Sequence, residues 1–207
     1  MKESKLELQS RETRRAILEA ADTLFFSQGY ADTSVDDVCR AASVTKGAFY
    51  HHFKNKDAVY RSCYIHRLDR YLEAHYSVPD GADADTRFRM LARCTYESSL
   101  VCGRELTAQS ITGMLCEHDS RLFEVERIHT RLLRGACEAA LSEGVFPPDT
   151  PAEKIILLYA CLLNGFLVKW ASAAPDDHTD WEELLMMTIS LLTGNGNQKI
   201  GKKERDV

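Results

Sequence analysis

Apolar residues along this chain recur at helical spacing. The clearest stripe, which follows the i, i+4, i+7, i+8 spacing, is Ile17, Ala21, Leu24 and Phe25. It predicts a first helix over about residues 12–28, which Gly29 ends as a C-terminal glycine commonly does. Alternation with a period of two, which would indicate strands, is nearly absent. We therefore expect an all-α fold.

Caps and breaks in the pattern predict about nine helices. A short second helix starts at Ser34, with Asp37 in capping-box position, and a short third helix covers Lys46 to His52. Asn55 caps a long fourth helix that runs to about Ser77. The later helices are expected over about 84–101, 104–116, 119–143, from Thr150-Pro151 onward with the threonine as cap, and from 179–182 to about Leu192.

These elements divide into two predicted domains. Residues 1–57 form a three-helix N-terminal domain, ordered from about residue 10. The long fourth helix joins it to a second helical domain over 58–193. The segment 194–207 lacks core-forming residues and is expected to be a mobile tail.

Charge is distributed unevenly between the two ends of the chain. The formal net charge is −5, yet residues 1–70 hold 12 basic and 10 acidic residues, against 14 and 21 in residues 71–207. A weakly basic head on an acidic body suits a protein that touches phosphate at one end only.

The seven cysteines predict neither a disulfide scaffold nor a metal site, because no CxxC pair and no zinc-finger histidine spacing is present. We expect them to be small buried hydrophobes; a redox role for one or two is the alternative. No cofactor is expected. The start of the chain carries no secretory pattern, and the longest apolar stretch, 155–168, is shorter than a membrane span. We expect a cytoplasmic protein that does not enter the membrane.

Residues 33–53 have the spacing of a helix-turn-helix, since two helices of about eight residues flank a three-residue turn. Valines and phenylalanines supply an inner face, which leaves polar groups outside. Lys46 brings a cation, Thr45 a hydroxyl, and Gly47 lets the backbone approach DNA closely. Tyr50 and His51 carry donors for phosphate oxygens, and Lys56 lies in the first turn of helix four. On spacing alone, a small helical hairpin with solvated charges explains the pattern equally well.

The motif residues resemble the signature of the tetracycline-repressor (TetR) family. The matching positions are Arg14, Ile17-Leu18, Ala20-Ala21, Leu24-Phe25, Gly29-Tyr30, Thr33-Ser34-Val35 and the run Lys46 to Lys56. The resemblance implies a homodimer, a recognition helix over about 45–51 and a ligand domain behind it. It places the family's DNA contacts on Thr33, Ser34, Thr45, Lys46, Tyr50, His51 and Lys56.

The C-terminal part predicts a subunit interface. The segment Ile155 to Leu163 is apolar all round, so its helix is expected to be buried on two sides, one of them against a partner subunit. Two such helices per subunit would make a four-helix interface; the alternative is that both are simply core. The candidate interface residues are Leu158, Leu162, Gly165, Leu185, Ile189 and Leu192.

A ligand pocket leaves a fainter pattern of small and polar residues on apolar stripes, and it rests mainly on the resemblance. His129 is more often a hydrogen-bonded core histidine than a ligand contact. The candidate pocket residues are Thr95, Ser99, Cys102, Ser110, Gly113, Met114 and His129.

Three classes of function compete. A repressor that binds a pseudo-palindromic operator in double-stranded DNA as a homodimer, and that a small-molecule effector releases, fits the motif. An enzyme is not expected, since GxSxG, HExxH and phosphate-loop motifs are absent from the sequence. A transcriptional activator or a non-enzymatic protein-interaction module on the same fold is the remaining alternative.

Overall fold

The structure, a computed structural model, describes residues 4–117, 127–174 and 176–194, with the backbone only at 114–117. This part of the chain contains nine helices and no strand, so the predicted all-α fold is confirmed. The helices are α1 (Lys5–Gln28), α2 (Val35–Ala41), α3 (Lys46–His52), α4 (Lys56–His75), α5 (Ala84–Cys102), α6 (Arg104–Glu117), α7 (Ile128–Ser142), α8 (Ala152–Ala171) and α9 (Trp181–Thr193).

Helix α1 starts earlier than the apolar pattern predicts. Ser4 accepts from the Glu7 amide and Glu7 accepts from the Ser4 amide, which makes a capping box and starts the helix at Lys5 instead of about residue 12. Leu6 and Leu8 are exposed, so these residues of the added turns do not pack against the core of this chain. Capping and helix-forming residues set this helix start, and core packing does not.

The short helices α2 and α3 follow the predicted caps. Ser34 and Asp37 form the predicted capping box of α2, and Thr45 accepts a hydrogen bond from the Ala48 amide at the start of α3. Their inner residues and α1 form the core of the first compact unit, Met1–Arg67. Its most deeply buried apolar side chains are Ile17, Ala21, Val38, Phe49, Phe53, Val59 and Cys63.

Helix α4 passes from the first unit into the second, Leu68–Val207, so the division falls ten residues after the predicted boundary at 57. Asn55 accepts from the Ala58 amide and caps the helix as predicted. Within the first unit, Arg67 Nε donates to Asp22 Oδ1 at 2.6 Å, and the guanidinium stacks on Phe26. These contacts tie the first three turns of α4 to α1.

The second unit is built by α5 to α9 and the end of α4. Its core contains large side chains that are almost fully buried: Leu72, Phe88, Leu91, Leu133, Ile155, Tyr159, Leu185 and Ile189. A two-pronged ion pair joins α4 to the start of α7 inside this unit. Arg127 Nε and Nη2 donate to the two carboxylate oxygens of Asp69 at 3.0 and 2.8 Å.

One prediction about the later helices falls partly outside the described residues, and another needs correction. The first part of the predicted helix over 119–143, residues 119–126, is not described, and the described α7 begins at Ile128. Thr150 does not cap α8; Pro151 occupies the cap position without a side-chain hydrogen bond. Proline has no side-chain acceptor, but its fixed φ suits a helix start. Asp180 caps α9 as predicted.

Helix α8 is long and apolar enough to cross a membrane by length and composition. One face of it carries buried core residues, among them Ile155, Tyr159 and Leu163. Core helices of soluble proteins have the same composition, so α8 gives no support for a membrane span. The predicted mobile tail beyond Gly194 lies outside the described residues.

Candidate functional site

The turn between α2 and α3 has a defined backbone path. The Val44 amide donates to the Cys39 carbonyl at 3.0 Å, and Ser43 adopts φ 56°, in the left-handed region that non-glycine residues seldom occupy. Phe49 and Phe53 hold α3 against the core, with Arg14 stacked over the Phe53 ring. The opposite face of α3 is therefore directed to solvent in a fixed orientation.

The solvent face of α3 carries the predicted DNA-contacting groups together. Within this chain, the exposed residues there are Thr45, Lys46, Gly47, Tyr50 and His51. Tyr50, 54% exposed, is braced by an edge-on contact of its ring with Phe49 at 5.3 Å. A Cβ added at Gly47 would meet nothing closer than Thr45 Oγ1, at 3.8 Å. Nothing inside this chain therefore requires glycine at position 47.

One carboxylate lies on the same surface, and the sequence reasoning missed it. Asp36 of α2 forms an exposed ion pair with Lys46, at 2.8 Å between Nζ and Oδ1. The hydrogen bond and charge of Asp36 raise the pKa of Lys46. The pair reduces the positive charge that this surface presents. Spacing along the sequence could not reveal it, because it depends on the angle between α2 and α3.

Two predicted DNA contacts are engaged internally. Thr33 is 1% exposed, and its hydroxyl donates to the Gly29 carbonyl at 2.7 Å. The Lys56 ammonium donates to the carbonyls of Tyr30 and Thr33 at 2.9 and 3.0 Å and lies over the Tyr30 ring. Both side chains hold the loop before α2, and their contact with DNA stays a prediction. Ser34 is exposed but already serves as the α2 cap.

Helices α8 and α9 each carry an exposed apolar stripe in addition to the face buried in the core. On α8, its members are Leu157, Leu158, Cys161, Gly165 and Val168. On α9, they are Leu184, Met187 and Leu191, the last 73% exposed. Such patches are unusual on the surface of a monomer and are typical of subunit interfaces.

The exposure of the side chains divides the predicted interface residues into two groups, three on α8 and three on α9. Leu158 and Gly165 are exposed and Leu162 is half-buried, as an outer face requires. Leu185, Ile189 and Leu192 are buried in the subunit's own core and have no surface for a partner. Because α9 is apolar on both faces, its sequence did not indicate which stripe faces inward.

The predicted pocket residues lie on buried faces of α5, α6 and α7. Six of these residues are described, and all six are buried: Thr95, Ser99, Cys102, Ser110, Gly113 and His129. The side chain of Met114 lies outside the described residues. Thr95 donates to the Leu91 carbonyl and Ser99 to the Thr95 carbonyl, each at 2.8 Å. Burial lowers the pKa of His129 to about 3, so its ring is neutral at neutral pH.

Tyr159 of α8 joins this group and was not among the predicted residues. Its ring lies 5.7 Å from Phe88 and 6.3 Å from His129, and its hydroxyl has no hydrogen-bond partner. The Thr95 side chain is close enough for a weak hydrogen-bonding interaction that lowers the pKa of Tyr159, although the two hydroxyls do not meet full hydrogen-bonding geometry. On the sequence, Tyr159 stands inside a continuous apolar run and reads as core.

The six cysteines whose side chains are described form no disulfide. The side chain of Cys116 is not described. Five of the six are buried, as expected, and Cys161 is exposed in the α8 stripe. The described residues contain no group of three or more His, Cys, Asp or Glu side chains that could hold a metal ion.

Comparisons with known proteins find similar chains among bacterial regulators. Residues 17–63 match the family model described as bacterial regulatory proteins, tetR family. The transposon Tn10 TetC protein of Escherichia coli is 39% identical over 75 residues, 35% of this chain and 38% of TetC. The HTH-type transcriptional regulator TtgR of Pseudomonas putida is 25% identical over 171 residues, 78% of this chain and 81% of TtgR.

A solved structure extends the likeness to nearly the whole fold. The FadR transcriptional repressor of Thermus thermophilus, solved in complex with lauroyl-CoA, aligns with a TM-score of 0.61 and 23% identity. The alignment covers 94% of this chain and 98% of that one. At this identity, the likeness concerns the arrangement of the helices.

Proposed function

We propose that this chain, which is similar to regulators of the TetR family in its N-terminal residues and in its fold, is a repressor that binds a pseudo-palindromic operator as a homodimer and leaves it when a small-molecule effector binds. Regulators of this family are soluble, non-enzymatic cytoplasmic proteins that bind DNA and usually act as dimers with small-molecule effectors. For this chain we propose four properties in particular. It binds an operator, it represses transcription, an effector releases it from DNA, and it is located in the cytoplasm.

The observation that carries the proposal is the solvent face of α3. A hydroxyl, a cation, a phenol and an imidazole stand together on a helix whose other side is fixed by buried phenylalanines. Gly47 leaves room beside them that this chain does not use. Hydrogen-bond donors on a rigid helix that presents little bulk suit the major groove and its phosphates.

The apolar stripes of α8 and α9 supply the proposed dimer interface. Each is continuous over several turns, and the two helices pack against each other within the subunit. A twofold axis beside them would bury the stripes in a four-helix arrangement. The revised interface set is Leu157, Leu158, Cys161, Leu162, Gly165, Val168, Leu184, Met187 and Leu191.

Helix α4 is the proposed route from effector to DNA. Two residues apart on this helix, Arg67 is bound to Asp22 in the first unit and Asp69 is bound to Arg127 in the second. Because both pairs are on one continuous helix, a rotation of α4 relative to either unit disturbs one of them. An effector that prefers the rotated arrangement would weaken DNA binding by its differential affinity, commonly about 5–150-fold.

Selection of bound DNA from a random pool tests the proposed function. We expect a pseudo-palindrome whose half-sites lie about 34–36 Å apart, one turn of DNA, because two recognition helices must enter successive grooves. A protein-interaction module would enrich no sequence. A reporter gene behind the selected site then distinguishes a repressor from an activator by the sign of the response.

The Asp36–Lys46 pair gives a second prediction about DNA. Replacing Asp36 by Asn should raise operator affinity severalfold, because Lys46 then acts on phosphate without a competing carboxylate. The plot of log affinity against log salt concentration should become steeper by up to about 0.9 for each added phosphate contact, one per subunit, and therefore by up to about 1.8 for the dimer. Asp80→Asn, which changes the net charge equally at an exposed position of the second unit, is the control. Equal affinity and equal salt slope in the two variants would exclude Lys46 from the interface.

A further inference from the structure

Among the described residues of the second unit, three buried hydroxyl groups have no hydrogen-bond partner. They are Ser110 Oγ in α6, Thr130 Oγ1 in α7 and Tyr159 Oη in α8, on residues that are 4%, 3% and 1% exposed. Leaving a buried hydroxyl unpaired costs roughly 1–3 kcal/mol, and folded proteins satisfy nearly all such groups. One unpaired hydroxyl on each of three successive helices indicates a partner that is not part of the chain.

Tyr159 is the best-defined of the three. Phe88 and His129 flank its ring, and Cys94 and Cys137 are near enough to affect its ionisation. Burial raises the pKa of Tyr159 well above its ordinary value, so the group is a protonated donor at neutral pH. The Thr95 hydroxyl nearby donates to the Leu91 carbonyl and could still accept, but it does not meet full hydrogen-bonding geometry with Tyr159. Tyr159 therefore offers an O–H donor in surroundings that are otherwise apolar or aromatic.

Charge in the same region excludes an ionic partner. Among the described residues of the second unit, Arg127 is the wholly buried side chain with a permanent charge, and the fork to Asp69 neutralises it. The guanidinium of the half-buried Arg134, whose Nε is buried without a hydrogen-bond partner, is paired with Glu153 at 3.8 Å. His129 is neutral at physiological pH because burial opposes its protonation and lowers its pKa. An ion lodged among these helices would be desolvated without a countercharge, which costs far more than one hydrogen bond returns.

We propose that the effector of this regulator is an uncharged, mainly apolar molecule with an acceptor oxygen, and that Tyr159 recognises it by donating a hydrogen bond to that oxygen. The proposal rests on the proposed function in taking the second unit as the effector domain. It adds the chemical class of the effector and the residue that selects it.

Four probes of matched size test the chemical class. They are 4-phenyl-2-butanone, which is neutral with an acceptor, butylbenzene without one, 4-phenylbutanoate as anion and 4-phenylbutylammonium as cation. Their phenyl group suits the aromatic walls at Phe88 and His129. Calorimetric titration of the full chain should give at least about tenfold tighter binding of the ketone than of butylbenzene, the value of one net hydrogen bond. Both ions should bind more weakly than the ketone. Failure of the ketone to bind, no preference over butylbenzene, or an ion that binds equally well would overturn the proposal.

The Tyr159→Phe variant tests the residue. It should lose the preference for the ketone while its thermal unfolding midpoint stays equal to or above that of the wild type, because the deleted hydroxyl has no partner. Tyr96→Phe, also buried in the second unit, should retain the preference. A lower midpoint in Tyr159→Phe would show a structural partner, and a retained preference would show that another group recognises the oxygen; either result overturns the assignment. Operator binding without any probe is measured separately. Its loss would refute the proposed function and leave the ligand result intact, whereas intact DNA binding without ketone preference would refute this inference alone.

Discussion

Replacing Tyr50 and His51 together by Ala is expected to lower operator affinity at least about 100-fold while leaving the fold and dimer mass unchanged. Both side chains are exposed on α3, and neither carries the core contacts that hold this helix. Donors to charged phosphate oxygens contribute about 1.5–3 kcal/mol each, so two lost donors per subunit account for the expected effect. On a symmetric operator both subunits lose them, which makes 100-fold a lower bound.

Fluorescence anisotropy with the selected operator measures this loss, and circular dichroism measures the fold. His178→Ala, an exposed histidine of the second unit, is the matched control and should bind DNA as the wild type does. Wild-type affinity in the double variant would exclude the solvent face of α3 as the DNA-binding surface and move the search to other helices. A lost dichroism signal would instead contradict the claim that these side chains are dispensable for folding.

The elements that the sequence predicted best are those whose ends depend on local chemistry. Ser34, Asp37, Thr45 and Asn55 all cap the helices expected of them, because a cap needs only a side-chain acceptor within three residues. The third helix accordingly runs over Lys46–His52, as predicted. The exposed face of α3 followed from the same information, since its inner phenylalanines recur at helical spacing.

What the sequence left undecided depends on tertiary packing. An apolar stripe on α9 could face the core or a partner, and only the packing of α9 on α5 and α8 decides between Leu185 and Leu184. Thr33 and Lys56 are polar at positions where the family resemblance places DNA contacts. Their hydrogen bonds nevertheless go to carbonyls of the loop before α2, whose path the sequence does not reveal. Tyr159 was overlooked because burial of its hydroxyl is a three-dimensional fact.

The largest effect is expected at Gly165, where substitution by Arg should convert the dimer into monomers at micromolar concentration. A Cβ added at Gly165 has no atom of the same chain within 4 Å, so the arginine is accommodated within the subunit and improves the helix propensity of α8. In the proposed interface, however, it lies in the apolar stripe with Leu158 and Cys161, where its charge would be buried without a partner. That penalty amounts to several kcal/mol for each subunit, enough to raise the dimer dissociation constant more than about 1000-fold.

Gly135→Arg is the matched control for this variant. Gly135 is a helical glycine of α7 with equally open surroundings for a Cβ, and it lies outside the two apolar stripes. Light scattering should give a dimer mass for the wild type and Gly135→Arg, and a monomer mass for Gly165→Arg with an unfolding midpoint no lower than that of the control. The monomer should also lose cooperative operator binding, because one recognition helix cannot span two half-sites. A monomeric wild type, or a Gly165→Arg protein that stays dimeric, would place the interface away from α8 and leave the exposed leucines of α8 and α9 to another partner.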